Sequence, residues 1–160
     1  MRTSNILSKA KALIFSLTFI ALAQTAYAAD IDDVLKVVHL YGSLEGDLTA
    51  QANLMAEDRV HITNGNRQTN QARNEIIQVS NRTRQEQLNG GKTEYITSIE
   101  DIDISIVDNV AIVSFKQWWN ILPAKQTSLT SDPQWVTLVL IKDSSDWTIK
   151  HTHQSPVRGN

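Results

Sequence analysis

The chain contains no cysteine. No disulfide can staple it and no lipid can be joined to a leader cysteine, so the fold must stand on its packed core alone. It also lacks a basic stripe. Fifteen Lys and Arg stand against 17 Asp and Glu, which makes it a poor candidate for nucleic acid or for an anionic membrane surface. Past the first 23 residues, no apolar run approaches the roughly 20 residues that a helix needs to cross a bilayer. Phosphate-binding glycine loops, serine-nucleophile elbows and zincin motifs are missing as well. Aromatics are few, at 6 %, so the four tryptophans stand out against that background.

The first 28 residues have the layout of a cleavable signal peptide. Arg2, Lys9 and Lys11 give a positive start, and an apolar run of about 12 residues follows from Ala12 to Ala23. Ala26-Tyr27-Ala28 then supplies the small-x-small site that a signal peptidase accepts. The expected product is an exported protein, periplasmic or secreted. Removal of residues 1–28 from 160 leaves 132, with 12 basic and 17 acidic residues and a net charge of −5 with the histidines neutral. That length suits one domain, expected over residues 29–156, with 157–160 as a loose tail.

Along this domain the hydrophobic period changes. Ile31, Val34, Leu35, Val38 and Tyr41 recur at helical spacing, with Asp30 or Asp32 as cap and Gly46 as the stop. Asp47 caps a short second helix carrying Leu48, Ala52, Leu54 and Met55. Val60-His61-Ile62 reads as a short strand with His61 exposed, and Asn64-Gly65-Asn66 as a tight turn. Thr69 or Asn70 caps a third helix that runs to about Leu88, with Ala72, Ile76, Val79 and Thr83 as its inner stripe and Asn89-Gly90-Gly91 as its end. From Glu94 the period is two: Ile102, Ile104 and Ile106 alternate with Asp103 and Ser105. Strands are expected over 94–107, 110–119, 135–142 and 147–154, with turns at Asp108-Asn109 and 143–146 and a loop over 120–133. Helices first and strands later imply an α+β fold, an antiparallel meander with helices packed on one face.

Two stretches carry a family resemblance. One is Gly46-Asp47-Leu48 with Leu54-Met55-Ala56-Glu57-Asp58; the other is Trp147-Thr148-Ile149-Lys150-His151-Thr152-His153-Gln154-Ser155. Together they resemble the nuclear transport factor 2-like superfamily, in its SnoaL-like branch, over nearly all of residues 30–156. The resemblance implies a cone-shaped, curved antiparallel sheet packed with three N-terminal helices, a pocket on the concave face, and a homodimer formed through the convex face. It does not transfer steroid isomerisation: the position of the isomerase's general-base aspartate falls on Thr63, and that of its oxyanion-hole tyrosine on His39.

Within this frame His151 and His153 share one strand face with Trp147, Ile149 and Ser155. If that face is the concave one, both imidazoles meet His39 of the first helix across a hollow. His39, His151 and His153 are then the catalytic candidates, since an imidazole titrates near pH ~6.5. The same three, with Trp118 and Trp135 as aromatic walls, are the ligand-binding candidates. The competing reading makes them core or rim side chains. Trp118 and Trp119 are adjacent and point to opposite faces. No fourth ligand stands at diagnostic spacing, so neither a metal nor another cofactor is expected. Three functions remain open: binding of a small apolar or aromatic molecule, histidine acid–base catalysis of the isomerase, cyclase or dehydratase type, and a purely structural or assembly role. The partners expected are that ligand and a second copy of the chain, with no nucleic acid and no membrane after signal cleavage.

Overall fold

The structure is a computed structural model that describes residues 27–158. The expected leader lies outside the described residues except for Tyr27 and Ala28. The chain divides into two compact units at Asp33/Val34. Residues 27–33, of the first unit, are helical, so Asp30 and Asp32 sit inside a helix rather than at its start. The helical stretch continues to residue 43 and is called α1 (27–43).

From Val34 onward the second unit is α+β. A 3₁₀ turn, Leu44–Gly46, follows α1 and absorbs the glycine expected as a stop. Helix α2 (Leu48–Ala52) begins where Asp47 accepts a hydrogen bond from the Ala50 amide at 3.0 Å. Strand β1 (Met55–Thr63) is three times as long as the expected strand over 60–62, and it turns through Asn64 and Gly65 into the short β2 (Asn66–Gln68). Helix α3 (Gln71–Asn89) is capped by Asn70, whose side chain accepts from the Arg73 amide at 2.8 Å. It ends at Gly90 with φ +74°, the left-handed conformation that a side chain resists.

Four long strands complete the unit: β3 (Glu94–Val107), β4 (Val110–Leu122), β5 (Thr130–Asp143) and β6 (Asp146–Pro156). They form the expected antiparallel meander, with longer strands and a loop reduced to residues 123–129. Pro133 lies within β5, opposite Trp118. The six strands form one sheet in the order β2-β1-β6-β5-β4-β3. One pairing departs from the antiparallel expectation: β1 runs parallel to β6. Val157, expected in the loose tail, donates from its amide to the Pro133 carbonyl at 3.0 Å.

Two irregularities bend the sheet. In β3 the register slips by one residue between Glu100 and Asp103, where Asp101 has φ +56°. In β6 Leu140 faces Ile149 whereas Val139 faces His151, so Lys150 is an extra, bulged residue. Bulges turn a strand and re-aim its side chains.

The core lies between α1 and the inner face of β4, β5 and β6. Val34, Val38 and Tyr41 meet Phe115, Val113, Leu138, Leu140, Trp147 and Ile149, all at most 5 % exposed. Tyr41 and Phe115 stack edge to face at 6.3 Å. Burial of each large apolar side chain here is worth about 1.5–3 kcal/mol. Ile102, Ile104 and Ile106 pack against this core from β3, as their alternation predicts.

Candidate functional site

A cavity of about 270 Å³ opens beyond the apolar core, where its inner surfaces turn polar. Strand β1 contributes Arg59, His61 and Thr63. Helix α1 contributes Tyr41, and the turn after it Glu45. Helix α3 contributes Gln78 and Arg82. The sheet floor is Tyr95, Trp119, Ile121, Gln134 and Gln154.

These side chains are tied to one another. Gln154 Nε2 donates to the Tyr41 hydroxyl at 2.7 Å, and Gln51 Nε2 donates to the Tyr41 carbonyl at 2.6 Å. Arg82 Nη2 donates to Glu45 Oε1 at 2.8 Å, and the guanidinium lies 3.9 Å from the centre of the Tyr95 ring. Gln134 Nε2 donates to Asp132 Oδ1 at 2.7 Å. At the deep end Arg59 is only 3 % exposed. Its Nη1 donates to Thr152 Oγ1 at 3.2 Å and touches the Met55 sulfur. Arg59 Nε and His61 Nδ1 are buried without a hydrogen-bond partner, as are both amide atoms of Gln117, which neighbours Gln134 across the strands. Buried polar atoms are ordinarily satisfied, so unpartnered atoms on two residues that line the same hollow, Arg59 and His61, stand out.

Burial sets the charge states. It pushes the Tyr41 phenol well above its ordinary range, helped by Glu45 and opposed by Arg59 and by the hydrogen bond from Gln154. Tyr41 therefore stays protonated. Burial, then the charge of Arg59, then His151, pulls His61 down to about 4, so this imidazole is neutral at pH 7. Burial also lowers Arg59, with Tyr41 acting in the opposite sense, but a guanidinium keeps its charge.

None of His39, Trp118, Trp135, His151 and His153 lines this cavity. His39 is exposed on α1. The shared parity of His151 with Trp147 and Ile149 is broken by the bulge at Lys150: Trp147 and Ile149 face the core, Thr152 and Gln154 face inward after it, and the two histidines face outward. Trp118 also lies on the outer face, where its Nε1 donates to Glu100 Oε1 at 2.7 Å and Lys116 stacks on its ring at 4.4 Å. Trp135 is 45 % exposed on that same face. Trp118 and Trp119, adjacent in the chain, do point to opposite faces: Trp119 is the tryptophan that turns inward.

The imidazole at the hollow is His61, expected to be exposed and found 4 % exposed. Its position was legible only from strand parity with Arg59 and Thr63. Helix α3 is likewise turned over. Ile76 is 67 % exposed, while Gln71 and Asn74 are buried and Gln78 and Arg82 reach the cavity.

A protein family described as a SnoaL-like domain matches residues 21–159. No curated protein matches the chain. Solved structures share the fold at low identity. A nuclear transport factor 2-like protein with a cystatin-like fold from Novosphingobium aromaticivorans has a TM-score of 0.70 and 13 % identity, over 88 % of this chain and 90 % of that one. A nuclear transport factor 2-like protein of unknown function from Shewanella oneidensis has 0.58 and 20 %, over 79 % and 98 %. A dehydratase candidate of that family from Streptomyces avermitilis has 0.60 and 16 %, over 82 % and 99 %.

Proposed function

The chain belongs to the SnoaL-like domain family, and from that premise we propose that it is an exported small-molecule-binding protein whose ligand occupies the cavity between α1, α3 and the inner sheet face. The observation that carries this reading is the group of buried, unpartnered polar atoms at the hollow, Arg59 Nε and His61 Nδ1 above all. Unsatisfied buried donors and acceptors cost about 1–3 kcal/mol each, and a ligand that meets them recovers part of that cost. The lining is more polar than the aromatic walls expected from sequence, so the proposed ligand is a polar molecule with an apolar or aromatic part against Trp119 and Ile121.

The enzyme reading now runs through His61, since His39, His151 and His153 stand elsewhere. An imidazole held at about 4 is a weak base at neutral pH, and binding therefore ranks above acid–base catalysis. An open hollow weighs against the purely structural role.

The test is a thermal-shift screen of varied small molecules against the wild type and the cavity-filled variant Thr63→Phe. The expected result is a set of compounds that raise the Tm of the wild type alone. A screen in which both proteins respond alike removes the cavity from the account. Export is checked separately by intact mass, which is expected to place the mature N-terminus at Ala29.

A further inference from the structure

The deep end of the cavity holds a positive charge with no counter-ion. Burying a guanidinium costs several kcal/mol unless a carboxylate or other anion meets it. Arg59 has only a threonine hydroxyl and a thioether against Nη1, and its Nε edge is buried and bare. Among the described residues no carboxylate forms an ion pair with it. The two acids that line the same cavity are engaged elsewhere, Glu45 with Arg82 and Asp132 with Gln134. The adjacent His61 is uncharged. The Tyr41 hydroxyl already accepts from Gln154, which leaves its own proton to donate.

We propose that the cavity takes a small monocarboxylate, its carboxylate paired with the Arg59 guanidinium beside the Tyr41 hydroxyl and the His61 imidazole. This deepens the binding reading above and rests on it. The flat edge of a guanidinium matches a carboxylate with two parallel hydrogen bonds. A second negative charge on the ligand would meet Glu45 or Asp132, so one anionic group fits and two do not. The hollow of about 270 Å³ accommodates a short chain or a single ring beyond the carboxylate.

The experiment is calorimetric titration of the full chain with monocarboxylates from acetate to benzoate, each paired with its neutral amide, and with phthalate and inorganic phosphate. Carboxylates are expected to bind more tightly than their amides by about tenfold or more, with phthalate and phosphate weaker than benzoate. The carboxylate–amide gap is expected to vanish in Arg59→Met and to shrink in Arg59→Lys, which keeps the charge and loses the fork. Equal binding of acids and amides to the wild type overturns the monocarboxylate and leaves the binding reading standing. Phosphate or phthalate binding more tightly than benzoate overturns it too. If no member of either series binds and the thermal-shift screen is also blank, both proposals fall.

Discussion

Gln154 of the last strand donates a hydrogen bond to the hydroxyl of Tyr41 on the first helix at 2.7 Å. The bond joins residues 113 positions apart and closes one wall of the cavity. It also orients the phenol, because an oxygen that accepts from Gln154 presents its proton to the hollow. A double-mutant cycle with Tyr41→Phe and Gln154→Leu is expected to cost about 1 kcal/mol for each single change and less than the sum for the pair. Urea midpoints measure this, and strict additivity would mean that the two groups act independently.

Acid should weaken the fold through His61. Its folded pKa, about 4, lies below the unfolded value near 6.5, so the unfolded chain binds the extra proton first. Stability is complete above pH 6.5 and is lost as the pH falls toward 4. Between pH 7 and pH 5 the loss is on the order of 2 kcal/mol. His151 is shifted in the same direction, by burial and by His153, and is common to both proteins compared. Chemical denaturation at the two pH values should show a smaller loss in His61→Gln, and an unchanged loss would contradict the burial of this imidazole.

Gly42 sits where α1 presses on β3. A Cβ there would lie 2.8 Å from Ile99 Cδ1, while the Gly42 carbonyl accepts from Thr97 Oγ1 at 2.7 Å. Alanine gains about 1 kcal/mol in helix propensity, but overpacking costs about 1–3 kcal/mol. Gly42→Ala is expected to destabilise by about 1 kcal/mol in the wild type and to become neutral or stabilising beside Ile99→Val, which removes the crowding methyl. Thermal melts of the two backgrounds decide it.

The outer sheet face carries Ile112 at 51 % exposure and Trp135 at 45 %. Exposed apolar side chains of this size favour a covering partner, and a homodimer is the arrangement we propose for this face. Light scattering of the wild type should give twice the chain mass at micromolar concentration, and Trp135→Glu should give the monomer. A monomeric wild type ends the proposal.

The elements were written locally and could be read. Asn70 and Gly90 bracket α3, Asn64-Gly65 and Asp108-Asn109 turn the chain, and the isoleucines of β3 alternate as a half-buried strand should. The site was not legible in the same way, for two physical reasons. A polar hollow reverses the usual rule that apolar residues face inward, so His61 and the Gln78–Arg82 side of α3 looked solvent-facing, while Ile76 and Val79 looked buried. A bulge, in turn, leaves no mark in the sequence, and parity counted through Lys150 assigned the histidines to the wrong face. The parallel pairing of β1 with β6 was hidden for a third reason: no local turn encodes a contact across some 90 residues.

Lys150 is thus a hinge in the reading frame of side chains. Loss of its single codon would straighten β6 while Ile149 stayed opposite Leu140 and His151 opposite Val139, so Thr152 and Gln154 would keep facing the hollow and the two histidines the outer side. Relatives that differ by this one gap would then carry the same chemistry on their last strand and differ only in its bend.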